Sequence, residues 1–332
     1  MKSFALTTLG CRVNQYENQV IREALEKEGF TEKGFDEECG IYVVNTCAVT
    51  EESAKKSKKL LRRALRRKEE DPRVVVCVCG CFSQGAGEDA VFSRVDVVCG
   101  NTGKSRLASI LVELFSISPE KKEKIDLREE IVKPIPYEKM QVCRSHNARA
   151  FVKIQDGCNS FCSYCYVPLV RGRVRSRPME EVREEVIRLT ENGYGEVVLT
   201  GIETGAWGED LGGEKGFCDL VESLSDLDAL KRIRFGSLKP SLFTREFTSR
   251  LASLPKVMPH FHLSLQSGST RVLSAMRRKY GRAEEEAAIA EIYRAFPDAG
   301  LSADLICGFP GETREEFEET CSLVEKPGSV IN

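Results

Sequence analysis

Apolar and polar positions alternate in two distinct rhythms along this chain, and the rhythm switches repeatedly between them. Ser3 to Leu9 alternates as a short strand and stops at Gly10-Cys11, after which Val20, Ile21, Leu25 and Phe30 recur at helical spacing over Gln15 to Glu28. Ile41-Tyr42-Val43-Val44 forms a second apolar run, Val74 to Val78 a third and Val95 to Val98 a fourth. Helical patterns over Glu52 to Lys68 and Lys104 to Phe115 separate or follow them. Strands alternating with helices predict an α/β fold whose first domain, 1-120, is an open parallel sheet. Ser118 to Gln141, with Pro119, Pro134 and Pro136 among mixed charges, reads as connecting chain and gives a linker over 121-143.

The same alternation resumes in residues 144-332. Strands are expected at Ala150 to Gln155, Glu196 to Thr200, Arg232 to Phe235, His260 to Leu265 and Leu301 to Ile306, each followed by a helical stretch, the first of them Glu180 to Asn192. Repeated strand-helix units indicate a barrel or partial barrel, with its sites at the carboxyl ends of the strands. Glu203, Ser264, Gln266 and the Gly308-Phe309-Pro310-Gly311-Glu312 turn lie at such ends, although each also has a turn or capping explanation.

Composition adds a cofactor. The 332 residues contain 14 cysteines and carry a net charge of -2, with no apolar leader after Met1. That argues against a secreted disulfide scaffold and for a cytoplasmic metalloprotein. No apolar run approaches the roughly 18 residues of a membrane helix.

Cys158, Cys162 and Cys165 stand at C-x3-C-x2-C spacing after an apolar strand. Soft thiolates suit zinc or an iron-sulfur cluster, but structural zinc wants a fourth protein ligand. A cube of four irons held by three cysteines leaves one iron open. Cys11, Cys47 and Cys81 each sit just past the carboxyl end of a different predicted strand, the edge where open sheets bind ligands, and so form a second candidate trio. Cys77 and Cys79 read as strand-interior residues; Cys39, Cys99, Cys143, Cys218, Cys307 and Cys321 read as packing thiols. His146, His260 and His262 show no ligand spacing and read as structural.

Two basic segments qualify as phosphate contacts. Nine cations between Lys55 and Lys68 surround the stripe Leu60, Leu61, Ala64 and Leu65, which is equally what a helix covering a sheet needs outside. Arg171, Arg173, Arg175 and Arg177 alternate beside the cysteine loop and suit a bidentate grip on phosphate, against the alternative of a solvated arginine loop.

Thr8 to Gln15, Val43 to Thr50, Gly80 to Gln84, Cys158 to Arg177, Leu263 to Ser269, Met276 to Tyr280 and Asp304 to Thr313 together resemble the radical S-adenosylmethionine (SAM) methylthiotransferases, over nearly the whole chain. The similarity is greatest to the bacterial branch acting on threonylcarbamoyladenosine in tRNA. The resemblance implies a radical SAM barrel, here partial, and a 4Fe-4S cluster on Cys158, Cys162 and Cys165 whose open iron chelates SAM. It implies a second 4Fe-4S cluster on Cys11, Cys47 and Cys81 that supplies or carries sulfur. Reductive cleavage of SAM would give a radical that abstracts hydrogen from C2 of the adenine at tRNA position 37. Tyr164 would pack on the SAM adenine, and Glu203, Ser264 and Gln266 would contact SAM.

The implied partners are tRNA and an electron donor of flavodoxin or ferredoxin type, for a monomer without membrane attachment. Relatives continue into a small RNA-binding TRAM domain, whereas this sequence ends at Asn332; the expectation is therefore no TRAM domain, an incompletely closed barrel and weakened tRNA binding. Lys239 stands where the family commonly has an acid. Competing readings are the same radical chemistry on another adenosine or a protein side chain, and an iron-sulfur or RNA-binding protein without turnover.

Overall fold

The computed structural model describes residues 2–87, 89–131, 135–145 and 147–325. It divides into two compact units, one of residues 1–145 with 166–173 and one of 146–165 with 174–332.

In the first unit β1 (Ser3–Thr8), β2 (Thr31–Glu32), β3 (Ile41–Thr46), β4 (Val75–Gly80), β5 (Val97–Val98) and β6 (Ile125–Asp126) form one parallel sheet in the order β2-β1-β3-β4-β5-β6. Side chains alternate across it. Phe4, Val43, Cys77 and Cys79 pack under α1 (Arg12–Lys27) and α4 (Leu107–Ser116), while Ala5, Val44, Val76 and Val78 pack on the opposite face with Leu61 and Leu65 of α2 (Glu51–Glu70). Fully buried strands of this kind read as continuous apolar runs, which is why they were visible in the sequence. α2 buries only Ser57, Leu61, Ala64 and Leu65, and its start is fixed by Thr50, whose hydroxyl accepts from Ser53 N at 3.1 Å. Such a cap contributes about 1 kcal/mol.

Two sequence expectations change here. The segment expected as a linker supplies β6, which pairs with β5, and belongs to the first unit. Cys307, expected to be a packing thiol, is exposed; Cys143 and Cys321 are half-buried, and Cys39, Cys99 and Cys218 are buried as expected.

The second unit is built on β7 (Ala150–Lys153), β10 (Glu196–Thr200), β11 (Arg232–Phe235), β12 (Ser237–Leu238), β13 (His260–Gln266) and β14 (Gly300–Leu305). The pairings β7-β10-β11 and β12-β13-β14 are all parallel. The chain crosses from one sheet to the other at Gly236, directly between β11 and β12, so the strands follow one another as a partial barrel. A Cβ at Gly236 would lie 2.9 Å from Thr204 Oγ1, which makes the crossing a place for glycine. Helices α6 (Met179–Glu191), α7 (Phe217–Ser225), α8 (Arg245–Ala252), α9 (Thr270–Ala275), α10 (Arg282–Ala295) and α11 (Arg314–Glu325) follow among the strands, while the short α3 (Cys81–Gly85) and α5 (Val167–Arg171) belong to the first unit. β8 (Gln155–Asp156) and β9 (Arg175–Ser176) pair antiparallel and close the base of the cysteine-bearing excursion. Among the described residues no helix is long and apolar enough to cross a membrane.

Candidate metal centres

In the first unit, register brings the N-terminal trio to one edge. Thr46 pairs with Gly80, so Cys47 and Cys81 leave neighbouring strands at the same level, and Leu9 N continues the β1 ladder to Asn45 O at 3.0 Å just before Cys11. Neighbouring strands lie about 4.8 Å apart, close enough for adjacent thiols to reach one small body. Asn14 fastens this edge: its amide donates to Leu9 O at 2.8 Å and to Thr46 O at 3.1 Å. Two glycines shape it. A Cβ on Gly10 (φ +94°) would stand 2.8 Å from Cys47 Sγ, and one on Gly80 (φ +99°) would collide with Thr46 O. Side chains there would displace the ligand sulfur or the strand.

Cys81 Sγ accepts two hydrogen bonds, from Arg171 Nε at 3.4 Å and Asn101 Nδ2 at 3.5 Å. Arg171 also donates to Asn14 Oδ1 at 2.6 Å and pairs with Glu17 at 3.1 Å; Lys104 pairs with Glu17 too, and Glu17, Lys104 and Arg171 are all buried. Solvent reaches Cys11, yet the protein packed around its sulfur pushes its pKa up, with Arg171 pulling down and Cys81 pushing up. The core thiols differ: burial drives Cys77 and Cys99 well above the ordinary value and Cys79 to about 12, so they stay protonated.

In the second unit, Cys158 and Cys162 are buried and Cys165 is half-buried. Their loop is over-determined. Gln155 Nε2 donates to Asp156 O and Gly157 O, both at 2.7 Å, while its Oε1 accepts from Glu203 N at 2.9 Å. Phe161 between the cysteines is held at φ +47°, and Arg277 at φ +59° and Gln266 at φ +77° are likewise left-handed. Non-glycine strain of this kind, of order 1–3 kcal/mol each, gathers at functional sites. Cys158 Sγ accepts from Ser160 N at 3.4 Å and lies 3.8 Å from Glu203 Oε2; Cys162 Sγ accepts from Arg278 Nη1 at 3.5 Å. Burial raises the Cys158 thiol, with the hydrogen bonds from Ser160 opposing.

A cavity of about 210 Å³ adjoins the loop, lined by Ser160, Cys162, Glu203, Lys239, Arg278 and Tyr280 among others. Lys239 spans it, pairing with Glu203 at 2.7 Å and donating to Ser160 Oγ at 2.7 Å. Of the expected SAM contacts, Glu203 therefore lines the cavity beside Cys158. Ser264 shares a hydrogen bond with Ser237 Oγ at 2.6 Å, and its carbonyl accepts from Arg278 and Tyr280. Gln266 ends β13, its carbonyl accepting from Ile306 N at 2.8 Å. Tyr164 is partly exposed, edge-on to Phe309 at 6.5 Å, with partial burial pushing its hydroxyl up to about 12 against the pull of Arg278.

Among the described residues no three His, Cys, Asp or Glu side chains converge on a point suited to a single metal ion. Cysteines on different irons of one cube stand farther apart than ligands on one ion, and the donor chemistry fits the cube: sulfurs that already accept N–H bonds suit thiolate ligands of a cluster.

The phosphate-gripping expectation is corrected for three of the four arginines. Arg171 is buried as described, Arg175 lies against Asp156 at 3.6 Å, and Arg177 is fully buried against Glu185 at 2.6 Å. Desolvated guanidiniums paired with carboxylates offer no face to a polyanion. Arg173 alone of the four is exposed. On α2, Lys55, Lys56, Lys58, Arg63, Arg67 and Lys68 pair with nearby acids. Sequence reasoning did not give Asn101, Glu17 or Lys104 a role, since their partners, Cys81 for Asn101, Arg171 for Glu17 and Glu17 for Lys104, lie elsewhere in the sequence. His262 makes local contacts with Ser302 and Asp304, His260 is exposed, and His146 falls outside the described residues.

Residues 152–324 match the radical SAM superfamily, and residues 3–100 match the uncharacterized protein family UPF0004. The threonylcarbamoyladenosine tRNA methylthiotransferase MtaB of Bacillus subtilis is 37% identical over 98% of this chain and 71% of its own. The tRNA-2-methylthio-N(6)-dimethylallyladenosine synthase of Pelotomaculum thermopropionicum is 35% identical over 98% of this chain and 73% of its own. Among solved structures, the radical SAM methyltransferase TsrM of Kitasatospora setae matches with a TM-score of 0.64 at 15% identity, covering 97% of this chain and 70% of that one. That likeness supports the fold alone.

Proposed function

The chain belongs to the radical SAM methylthiotransferases, and from that premise we propose that it transfers a methylthio group to C2 of N6-threonylcarbamoyladenosine at position 37 of tRNA. Cys158, Cys162 and Cys165 would hold one 4Fe-4S cluster, and Cys11, Cys47 and Cys81 a second. Bound there, the clusters and SAM would supply one-electron cleavage of SAM and the sulfur to be inserted.

The protein's own residues account for the rest. Gln155 clamps the Gly157 turn and the backbone of Glu203 together, so the cysteine loop and the β10 end move as one piece. Preorganisation of this kind removes an ordering cost from the reactive complex. Lys239 keeps the Glu203 carboxylate paired where it faces Cys158. Tyr164, Ser264 and Gln266 are proposed SAM contacts on position, at the open end of the strands. Arg173, exposed at the surface, is the one of the four arginines proposed to face tRNA. An electron donor of flavodoxin or ferredoxin type and a cytoplasmic setting complete the reading.

The observation that carries the proposal is the pair of cysteine trios, each at the carboxyl edge of its own parallel sheet and each with one sulfur hydrogen-bonded by an arginine. The near-equal identities to the two kinds of tRNA enzyme favour a second reading, in which the substrate is dimethylallyladenosine. Mass spectrometry of tRNA nucleosides from a strain lacking both activities, complemented with this chain, separates them. Appearance of the methylthio-threonylcarbamoyl nucleoside supports the first, and the methylthio-dimethylallyl nucleoside alone replaces it with the second. Neither product means that the substrate is not tRNA adenosine.

A further inference from the structure

Arg171 belongs by sequence to a run of arginines beside the cysteine loop, but its guanidinium faces inward. Its Nε donates to Cys81 Sγ at 3.4 Å, Nη2 to Asn14 Oδ1 at 2.6 Å and Nη1 to Glu17 Oε1 at 3.1 Å. The side chain is fully buried. The remaining arrangement aims a second donor at the same atom: Asn101 Nδ2 lies 3.5 Å from Cys81 Sγ and 2.7 Å from Val170 O, so the amide is oriented by the backbone next to Arg171. Glu17 in turn is held by Lys104, and Asn14 is anchored on the turns after β1 and β3. Each atom that aims a donor at the sulfur is thus itself fixed by another buried group.

A neutral thiol has little need of two N–H donors, one of them cationic. A cluster thiolate has, because hydrogen bonds and positive charge at a ligand sulfur stabilise the more reduced, more negative cluster and raise its potential. We infer that Arg171 and Asn101 are positioning residues of the N-terminal cluster: they fix the Cys81 sulfur and tune the cluster's reduction, and Arg171 does not contact tRNA. This rests on the two-cluster reading above.

The test isolates one cluster. In a Cys158→Ala background only the N-terminal trio can hold iron, and anaerobic reconstitution followed by a redox titration monitored by electron paramagnetic resonance gives its reduced fraction. At the poise where the parent is half reduced, Arg171→Gln and Asn101→Ser are each expected to lower the reduced-to-oxidised ratio about tenfold, equivalent to 59 mV for a one-electron couple. Arg171→Lys, which keeps the charge without the fork, should fall between. In the enzyme with both clusters, tRNA affinity of Arg171→Gln should equal the parent's. An unmoved ratio in iron-loaded variants overturns the inference, as does a loss of tRNA affinity with the cluster unchanged. Should Arg171→Gln not fold, Asn101→Ser decides alone, since it touches the same sulfur and leaves Glu17 paired. Absence of iron in the Cys158→Ala parent would instead sink the two-cluster reading itself.

Discussion

Glu285 offers a quantitative test of the second unit's interior. It lies in α10 with no solvent exposure, and neither carboxyl oxygen has a hydrogen-bond partner among the described residues. Burial pushes its pKa from 4.5 up to about 9, with Arg278 and Arg282 drawing it back only in part. At neutral pH the native protein therefore keeps a proton that the unfolded chain has released. Stability attributable to this group is full below pH 4.5 and is lost as pH rises toward 9, at about 1.4 kcal/mol per unit. Between pH 4.5 and pH 7 the loss is on the order of 3 kcal/mol. Glu285→Gln keeps the shape and removes the ionisation. Urea unfolding of parent and variant at several pH values should show curves that draw together near pH 5 and separate steadily toward pH 8 in favour of the variant. A difference independent of pH, or a variant that loses ground as pH rises, would show that the carboxylate is ionised and compensated, and the reasoning would fail.

Other outcomes follow from the same geometry. Gly10→Ala must place its Cβ against Cys47 Sγ in a left-handed backbone, so iron bound by the N-terminal trio should fall while the Cys158 site keeps its own; iron content in a Cys158→Ala and a Cys11→Ala background reads this directly. Lys239→Met leaves the Glu203 carboxylate facing Cys158 without its ammonium partner, and a chelator should strip iron from that cluster several-fold faster than from the parent. Arg177→Met leaves Glu185 buried beside a missing cation, and thermal unfolding should show a loss of about 3–5 kcal/mol with tRNA affinity unchanged in the folded fraction.

The strands and most helices of both units were legible because buried parallel strands are unbroken apolar runs and their helices carry one apolar stripe. Two-residue strands such as β2 and β6 have no such signature; β6 exists only because β5 offers it an edge. The places of the six cysteines were legible too, three in one loop from local spacing and three just past the ends of three strands. The arginines were not. Alternation beside the cysteine loop suggested a grip on phosphate, but whether Arg171, Arg175 and Arg177 face solvent depends on how Glu17, Asp156 and Glu185 fold back on them, and Glu17 lies far along the chain. Cys307 illustrates the reverse error: an apolar strand precedes it, yet the chain has already turned outward by Gly308 at φ +75°.

Whether six thiols act as two independent trios is decided most directly by iron and acid-labile sulfide counts on anaerobically reconstituted protein. Eight of each per chain are expected, falling to about four in Cys11→Ala and in Cys158→Ala, with 5'-deoxyadenosine formed from SAM by the first variant alone. Four or fewer in the parent, or loss of all iron on removing either cysteine, would contradict the account.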